Sequence, residues 1–423
     1  MKKNIIFFVF TCIYLLPISS FAEEQVFIRG NYSLKQAIDK VIKNNPELAT
    51  SKLELDAADA RLKQEGLWEN PTFTAESENF SGDNPGFRRT ENTFWLSQPF
   101  LLGGKRNFRK GIALQEREIV QLSYDAKRRY LIQAVEEAVY DILVAQQMIE
   151  FARQAEEIAR DVYNVKESKM VEEYSSEVLL SIEIELSEAE MEVLTAEKDL
   201  KIAKRQLALL LGDCEVSLGE CKESLEREHK IPEYAALKNC LLSRNPEILV
   251  HKIREEQGNY LLNYAKSERI PDLEFSVGVR QFNEDDSYSF VGGISVPLPL
   301  FNRNQGSIQE AMVNKKRIEV DINATRNSLI LELDEHYRTF EIMEKEITVL
   351  QERILPKAEE MLKKLMKGYE KKEVPYIGVL EARRKHIDTQ KRYFQTLRDF
   401  NVTIAHLERL CSKPFHGADG EVF

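Results

Sequence analysis

The chain has 423 residues, of which 30% are charged and 9% aromatic, and a formal net charge of −11. This composition excludes a disordered chain, and the acidic balance excludes nucleic acid as a natural partner. The length exceeds the roughly 100 to 200 residues of one ordinary domain, which points to several domains or to one elongated architecture.

The chain opens with "MKKNIIFFVFTCIYLLPISSFA": Lys2 and Lys3, an apolar run from Ile5 to Leu16, then Ser20 and Ala22 as a small-x-small cleavage site. This predicts a secretory signal peptide at residues 1–22, with the mature chain starting near Glu23. The run is too short for a transmembrane anchor across roughly 30 Å of hydrocarbon. No later apolar stretch reaches the roughly 18 residues of a membrane helix, so any contact with a bilayer would be made by strands.

Residues 23–212 form a first unit. Ser33 with Gln36 predicts a capping box, and the helix it opens should stop at Asn45, because the residue before Pro46 is pushed out of the α region. Asn45 then caps a second helix with Pro46 in its first turn. Strands are expected near 72–80 ("TFTAESENF") and 92–98 ("NTFWLSQ"), separated by the turn-rich residues 81–91. A corner marked by Pro99, Gly103 and Gly104 leads into helices near 105–168 and 176–211. Between Gly111 and Gly212 there is neither Gly nor Pro, and the apolar series Ile182, Leu186, Ala189, Val193, Ala196, Leu200, Ala203, Leu207 keeps a seven-residue period, a coiled-coil seam. The polar segment "KESKMVEEYSSE" at 166–177 is where the chain reverses.

Residues 213–232 connect the halves. "CEVSLGEC" makes a bridge between Cys214 and Cys221 plausible after secretion. With Cys240 and Cys411, the mature cysteines allow three complete pairings, and Cys411 also continues the apolar series of Leu397 and Ile404, where packing alone accounts for it.

Residues 233–411 repeat the first scheme, and 412–423 form a tail. "RNPEILV" at 244–250 copies "NNPELAT" at 44–50, and Pro271 copies Pro71. Strands are expected near 272–282 and 288–296. Leu273, Phe275, Val277 and Val279 fall on one face, opposite Glu274, Ser276, Gly278 and Arg280. Tyr288, Phe290, Ile294 and Val296 continue the apolar face. A second corner holds Pro297 and Pro299, followed by helices near 305–370 and 376–411 with a reversal at "EKKEVPYIG". The chain is a duplication.

Strands of this length cross a membrane only in a closed barrel, whose smallest forms have about 8 strands, so a chain with four would share a barrel with other copies. The other reading is a small antiparallel sheet on a soluble helical bundle. Helices of tens of residues at each end of both hairpins suit a long tube better.

The segments "SLKQAIDKVIKNNPEL", "RNPEI", "QPFLLGGKR" and above all "VPLPLFNRNQGSIQEA" resemble the outer-membrane efflux channels of the TolC type, most closely the branch serving heavy-metal and related resistance-nodulation-division pumps. The resemblance spans essentially the whole mature chain. It implies a mainly α fold with a transmembrane β-barrel portion: a homotrimer whose 12-stranded barrel lies in outer-membrane lipid and continues into a 12-helix α-barrel in the periplasm. It also implies a periplasmic adaptor (membrane fusion protein) and an inner-membrane pump as partners. The helix reversals would form the periplasmic tip, where the adaptor docks and the channel gates: Glu172, Glu173, Tyr174 and Glu177 in the first half, Lys372, Glu373, Pro375 and Gly378 in the second. The family's usual turn glycine is absent, and the acidic residue before the Val-Leu pair is kept as Glu177 but replaced by Gly378. Carboxylates at the tip, multiplied by symmetry, would form a cation-selecting ring, or else a solvated turn. Lys105, Arg106, Arg109 and Lys110 crowd a helix N-terminus, against the macrodipole, which asks for lipid phosphates or simple solubility as the reason.

Nothing points to catalysis or to a cofactor: there is no phosphate loop and no nucleophile elbow. The six histidines show no metal-ligand spacing along the chain. The expected function is a passive exit duct of a tripartite efflux pump. The alternatives are the duct of a type I protein secretion system and, from another class, a periplasmic coiled-coil adaptor.

Overall fold

A computed structural model describes residues 31–80, 87–167, 176–212, 218–226, 229–371 and 373–415. The signal-peptide segment 1–22 lies outside these residues.

Two short helices lead each half. In the first, α1 (Leu34–Asn44) opens on the reciprocal capping box of Ser33 and Gln36, and α2 (Pro46–Glu65) starts at a proline with Asn45 as its cap. The hairpin β1 (Thr72–Glu78) and β2 (Glu91–Phe100) follows, then α3 (Lys105–Glu167) and α4 (Ser176–Leu210). The second half has α5 (Tyr234–Arg244), α6 (Pro246–Ser267), β3 (Leu273–Phe282), β4 (Ser287–Ser295), α7 (Gln305–Val349), α8 (Leu355–Glu370) and α9 (Tyr376–Cys411). At 63 residues, α3 is about 95 Å long.

The expected single helix near 305–370 is interrupted. A π-helical turn, Leu350–Ile354, separates α7 from α8, immediately before Pro356. Proline lacks the N–H and crowds the carbonyl four residues earlier, and a wide turn absorbs both without breaking the rod.

The four strands form one antiparallel sheet in the order β1-β2-β3-β4. The central pair, β2 with β3, joins the two halves in a continuous register from Glu91↔Phe282 to Phe100↔Leu273. β1 and β4 are edges, each paired on one side within the chain.

The helical part has two cores. One gathers Leu34, Ala37 and Val41 of α1, Val135, Val139 and Ile142 of α3, and Leu207 of α4. Leu218 and Leu225 of the connecting segment complete it, held by the pairing of Tyr32 with Cys221. The other gathers Leu237 and Leu241 of α5, Leu329 and Leu333 of α7, and Ile404, Leu407 and Leu410 of α9. Each buried Val, Leu or Ile among these contributes about 1.5–3 kcal/mol relative to exposure. Away from the cores, α3 and α4 pack through small residues at seven-residue steps. Ala138, Ala145, Ala152 and Ala159 are buried on one helix, and Ala189, Ala196 and Ala203 on the other. Alanine at these positions lets two long rods approach closely over many turns.

Candidate functional site

Period-two alternation gives the sheet two unlike faces, and the register aligns them across all four strands. On one face lie rows such as Phe73–Leu96–Val277 and Ala75–Phe94–Val279–Phe290. These large apolar side chains are exposed; Phe290 is 94% accessible. The other face carries Glu76–Thr93–Arg280–Ser289 and Ser97–Ser276. It is internally bonded: Arg280 donates to Thr93 at 3.0 Å and to Glu91 at 3.3 Å, and the hydroxyls of Ser97 and Ser276 are 2.8 Å apart. A soluble sheet would cover its apolar face. Here the apolar face is bare and the polar face is bonded, the arrangement of a strand set that meets lipid outside and water inside. Among the described residues, no helix is long and apolar enough to cross a membrane.

The corners join this sheet to the rods. Gly103 and Gly104 have φ of +69° and +76°, and a Cβ on Gly103 would stand 2.8 Å from Ile270 Cδ1. They turn β2 so that Leu102 N–H reaches Asp272 at 2.9 Å and the Lys105 ammonium, buried, reaches the other oxygen of Asp272 at 2.8 Å. The crowded cations at this helix start therefore have partners inside the chain. Lys105 pairs with Asp272 and, more loosely, with Glu268; Arg109 pairs with Glu65 and Glu69; Arg106 lies 4.4 Å over the Trp68 ring. Neither of the two reasons offered from sequence is needed for these three. The acids that hold them come from 40 to 167 residues away, which is why spacing along the chain did not show them. At the second corner, Pro297 and Pro299 sit in a loop whose Leu298, Leu300 and Phe301 are exposed. Asn304 ends this loop at φ +56°, its amide donating to Ala265 O at 2.8 Å.

At the opposite end, Glu172, Glu173, Tyr174 and Lys372 lie outside the described residues, as does Cys214 of the proposed bridge to Cys221. Glu177 belongs to the first turn of α4. In the second reversal Pro375 precedes α9, Gly378 N–H donates to Pro375 O at 3.1 Å, and exposed Glu373 donates its N–H to Gly368 O at 2.9 Å. Among the described residues of this turn none has a positive φ, and Lys372, where the family's usual glycine would stand, lies outside them. The residue that matters is Gly368, where a Cβ would stand 2.7 Å from Val374 Cγ2. Sequence reasoning passed over it as part of a helix.

Between the two ends, α3, α7 and α9 bring a set of titratable groups together. Glu137 accepts from Gln133 at 2.6 Å and lies 3.2 Å from His406 Nε2. The His406 hydrogen bond, outweighing the cost of burial, holds the Glu137 carboxyl below its ordinary value. Burial, with His406 adjacent, lowers His336 below the usual imidazole range.

Comparison with known proteins supports the same reading. The profile of the family described as "Outer membrane efflux protein" matches residues 37–213 and again 237–411, so both halves of the duplicated chain carry it. The cobalt-zinc-cadmium resistance protein CzcC of Cupriavidus metallidurans is 24% identical over 394 residues, covering 91% of each chain. Among solved structures, the outer membrane protein VceC of Vibrio cholerae superposes with a TM-score of 0.76 at 18% identity, over 90% of this chain and 97% of that one. CusC, crystallised in a study of transmembrane channel formation, also gives 0.76 at 18%, over 91% and 92%. The chain is an outer-membrane channel of the tripartite efflux type that extends into the periplasm, a transport protein and not an enzyme. It belongs to the outer membrane efflux protein family.

Proposed function

We propose that three copies of this chain assemble into one exit duct, their sheets closing edge to edge into a shared barrel in outer-membrane lipid and their rods into a tunnel through the periplasm. The observation that carries this reading is the four-stranded sheet with one bare apolar face and two edges, β1 and β4, each lacking a second neighbour among the described residues. Exposed edges and an exposed apolar face are both liabilities in water, and closure of several copies in lipid removes both. The rods support it: α4 leaves Leu180, Ile184, Met191, Leu194 and Leu209 exposed, an apolar stripe that a neighbouring subunit would cover.

An adaptor would dock at the helix reversals, including Glu373, Pro375 and Gly378, and a resistance-nodulation-division pump in the inner membrane would supply the energy. The relative CzcC is named for cobalt, zinc and cadmium resistance, and this supports divalent metal ions as the cargo class over a secreted polypeptide.

The test is the native mass of the mature protein extracted from membranes in detergent, corrected for bound detergent, followed by conductance in a planar bilayer. A detergent-dependent trimer that conducts is expected. A monomer that stays soluble without detergent would overturn the shared barrel. For the cargo, cells lacking the gene are expected to accumulate cobalt or zinc, and unchanged accumulation would overturn that assignment alone.

A further inference from the structure

Glu332 and His336 stand one turn apart on α7, and His406 meets them from the final turns of α9. The donor atoms of the three lie within 4.8 Å of one another. The two imidazole rings stack, with centroids 4.4 Å apart and planes at 18°. From α3, Gln133 Nε2 comes within 3.1 and 3.2 Å of the ring nitrogens of His406, and the Glu137 carboxylate lies 3.2 Å from His406 Nε2. Arg409 donates to one oxygen of Glu332 at 2.5 Å.

We propose that Glu332, His336 and His406 form a binding site for one divalent transition-metal ion per chain, of the zinc, cobalt or nickel class. Two imidazoles and one carboxylate are a ligand set that suits borderline ions of this class, whereas calcium and magnesium take sets built from oxygen. The i, i+4 spacing sets Glu332 and His336 on one side of α7, so a single helix supplies two ligands without distortion. A tetrahedral ion about 2.0–2.1 Å from each ligand needs its donor atoms roughly 3.3 Å apart, so from the present spacing of up to 4.8 Å the side chains would draw together on binding. Glu137 is placed to do what outer carboxylates do in such sites, accepting from one nitrogen of His406 so that the other is presented as a ligand. Arg409 occupies one oxygen of Glu332 and leaves its second for the ion. Arg409 pairs with Glu332, and Arg398, whose charge also acts on Glu137, is paired with Asp141 and Asp399, so the surroundings are net acidic, which favours a cation.

The alternative is that the rings merely pack. Against it stands the polar surround: the two half-buried imidazoles meet Glu137, Gln133 and Glu332, and Glu332 is held in turn by Arg409. The set is also confined to the second half, since Ile132, Glu136 and Gln206 stand 200 residues before Glu332, His336 and His406. The site rests on this geometry and not on the cargo, so it is tested by binding to the purified protein, whose outcome is separate from any change in metal accumulation by cells.

The experiment uses untagged mature protein in detergent, cleared of metal by a chelator. Cobalt is titrated by visible absorption and zinc by calorimetry. One ion per chain is expected, with cobalt d–d bands, and His336→Ala and His406→Ala should each weaken binding by at least about tenfold. Glu137→Gln should weaken it by about tenfold while keeping the stoichiometry. If an alanine variant does not fold, X-ray absorption on the zinc-loaded wild type decides: imidazole ligands at about 2.0–2.1 Å support the site, and oxygen ligands alone overturn it. Absence of cobalt bands in the wild type, or unchanged affinity in the double alanine variant, would equally overturn it.

Discussion

The side-chain amide of Asn245 donates to the carbonyl of Leu410 at 3.1 Å, and 200 residues earlier Asn45 donates to Leu210 at 2.8 Å. In both halves the same asparagine accepts from the second helical N–H, Glu247 at 2.9 Å and Glu47 at 2.9 Å. One residue therefore caps the N-terminus of a short helix and holds the C-terminal carbonyls of the long return helix. Asparagine carries its acceptor and its donor on two separate atoms of one short amide, so it can serve both partners at once, which the single oxygen of a serine does not do in this geometry. Losing the cap costs about 0.5–2 kcal/mol and the buried bond about 1 kcal/mol. Asn245→Ala is thus expected to destabilise the helical part by about 1–3 kcal/mol, and Asn245→Ser, which keeps the cap alone, by less. Thermal unfolding followed by circular dichroism should order them wild type, Ser, Ala. A serine variant no better than alanine would mean that the Leu410 bond carries the whole effect.

The corner glycines are not equivalent, although both have positive φ. Gly103 faces Ile270 at 2.8 Å and Ser267 O at 3.3 Å, while the space around Gly104 admits a side chain, Phe108 being 3.5 Å away. An L residue in this region costs about 1–2 kcal/mol, less for asparagine. Gly103→Ala is expected to disrupt the Lys105–Asp272 pairing and lower the yield of assembled protein. Gly104→Asn is expected to be nearly neutral. Native-gel assays of oligomer from membranes separate the two, and equal loss would show that conformation alone, without crowding, governs the corner.

The two faces of the sheet make opposite predictions for the same charge. Val277→Arg places a guanidinium on the apolar face, at an expected cost of about 2–4 kcal/mol if the residue lies at the bilayer midplane. Gly293→Lys places an ammonium on the polar face, where Ser276 Cβ at 3.9 Å is the nearest atom to a new Cβ. Assembly should fail in the first and survive in the second, with conductance altered. Survival of Val277→Arg with normal membrane insertion would contradict the lipid-facing assignment.

What could be read from the sequence was whatever repeats locally. The alternation from Leu273 to Val279, the cap at Asn45 and the alanine steps of α4 are short-range patterns, and each appears in the fold as a face, a helix start or a seam. What could not be read required the third dimension. Lys105 finds Asp272 only after β2 and β3 pair, and His336 meets His406 only after α7 packs on α9. The π-helical turn at Leu350–Ile354 was also hidden, because Pro356 alone announces a kink, a break or a helix start with equal force. Gly368 was hidden for a related reason: its role is set by Val374, beyond the helix end.

Alkaline pH provides a test of the helical core. The Tyr393 hydroxyl donates to Glu226 at 2.9 Å, and burial, with that carboxylate beside it, pushes its pKa up to about 12. The buried Cys411 thiol, next to Cys240, is likewise pushed up to about 12. Both groups are held protonated by the fold. An acid whose pKa is raised on folding contributes stability that is fully present below its unfolded pKa and is lost as pH rises through the folded value. For Tyr393 the unfolded value is about 10 and for Cys411 about 8.5. The thermal midpoint should therefore begin to fall above about pH 8.5 and fall more steeply between about pH 10 and 12. Tyr393→Phe should lower the midpoint at neutral pH, because Glu226 loses its donor, and flatten the upper part of the decline. Cys411 should resist alkylation at pH 8 in the folded protein and react once it is unfolded. Rapid labelling of Cys411 in the folded state would show that the end of α9 opens locally, and the alkaline decline would then report fraying there in place of the core.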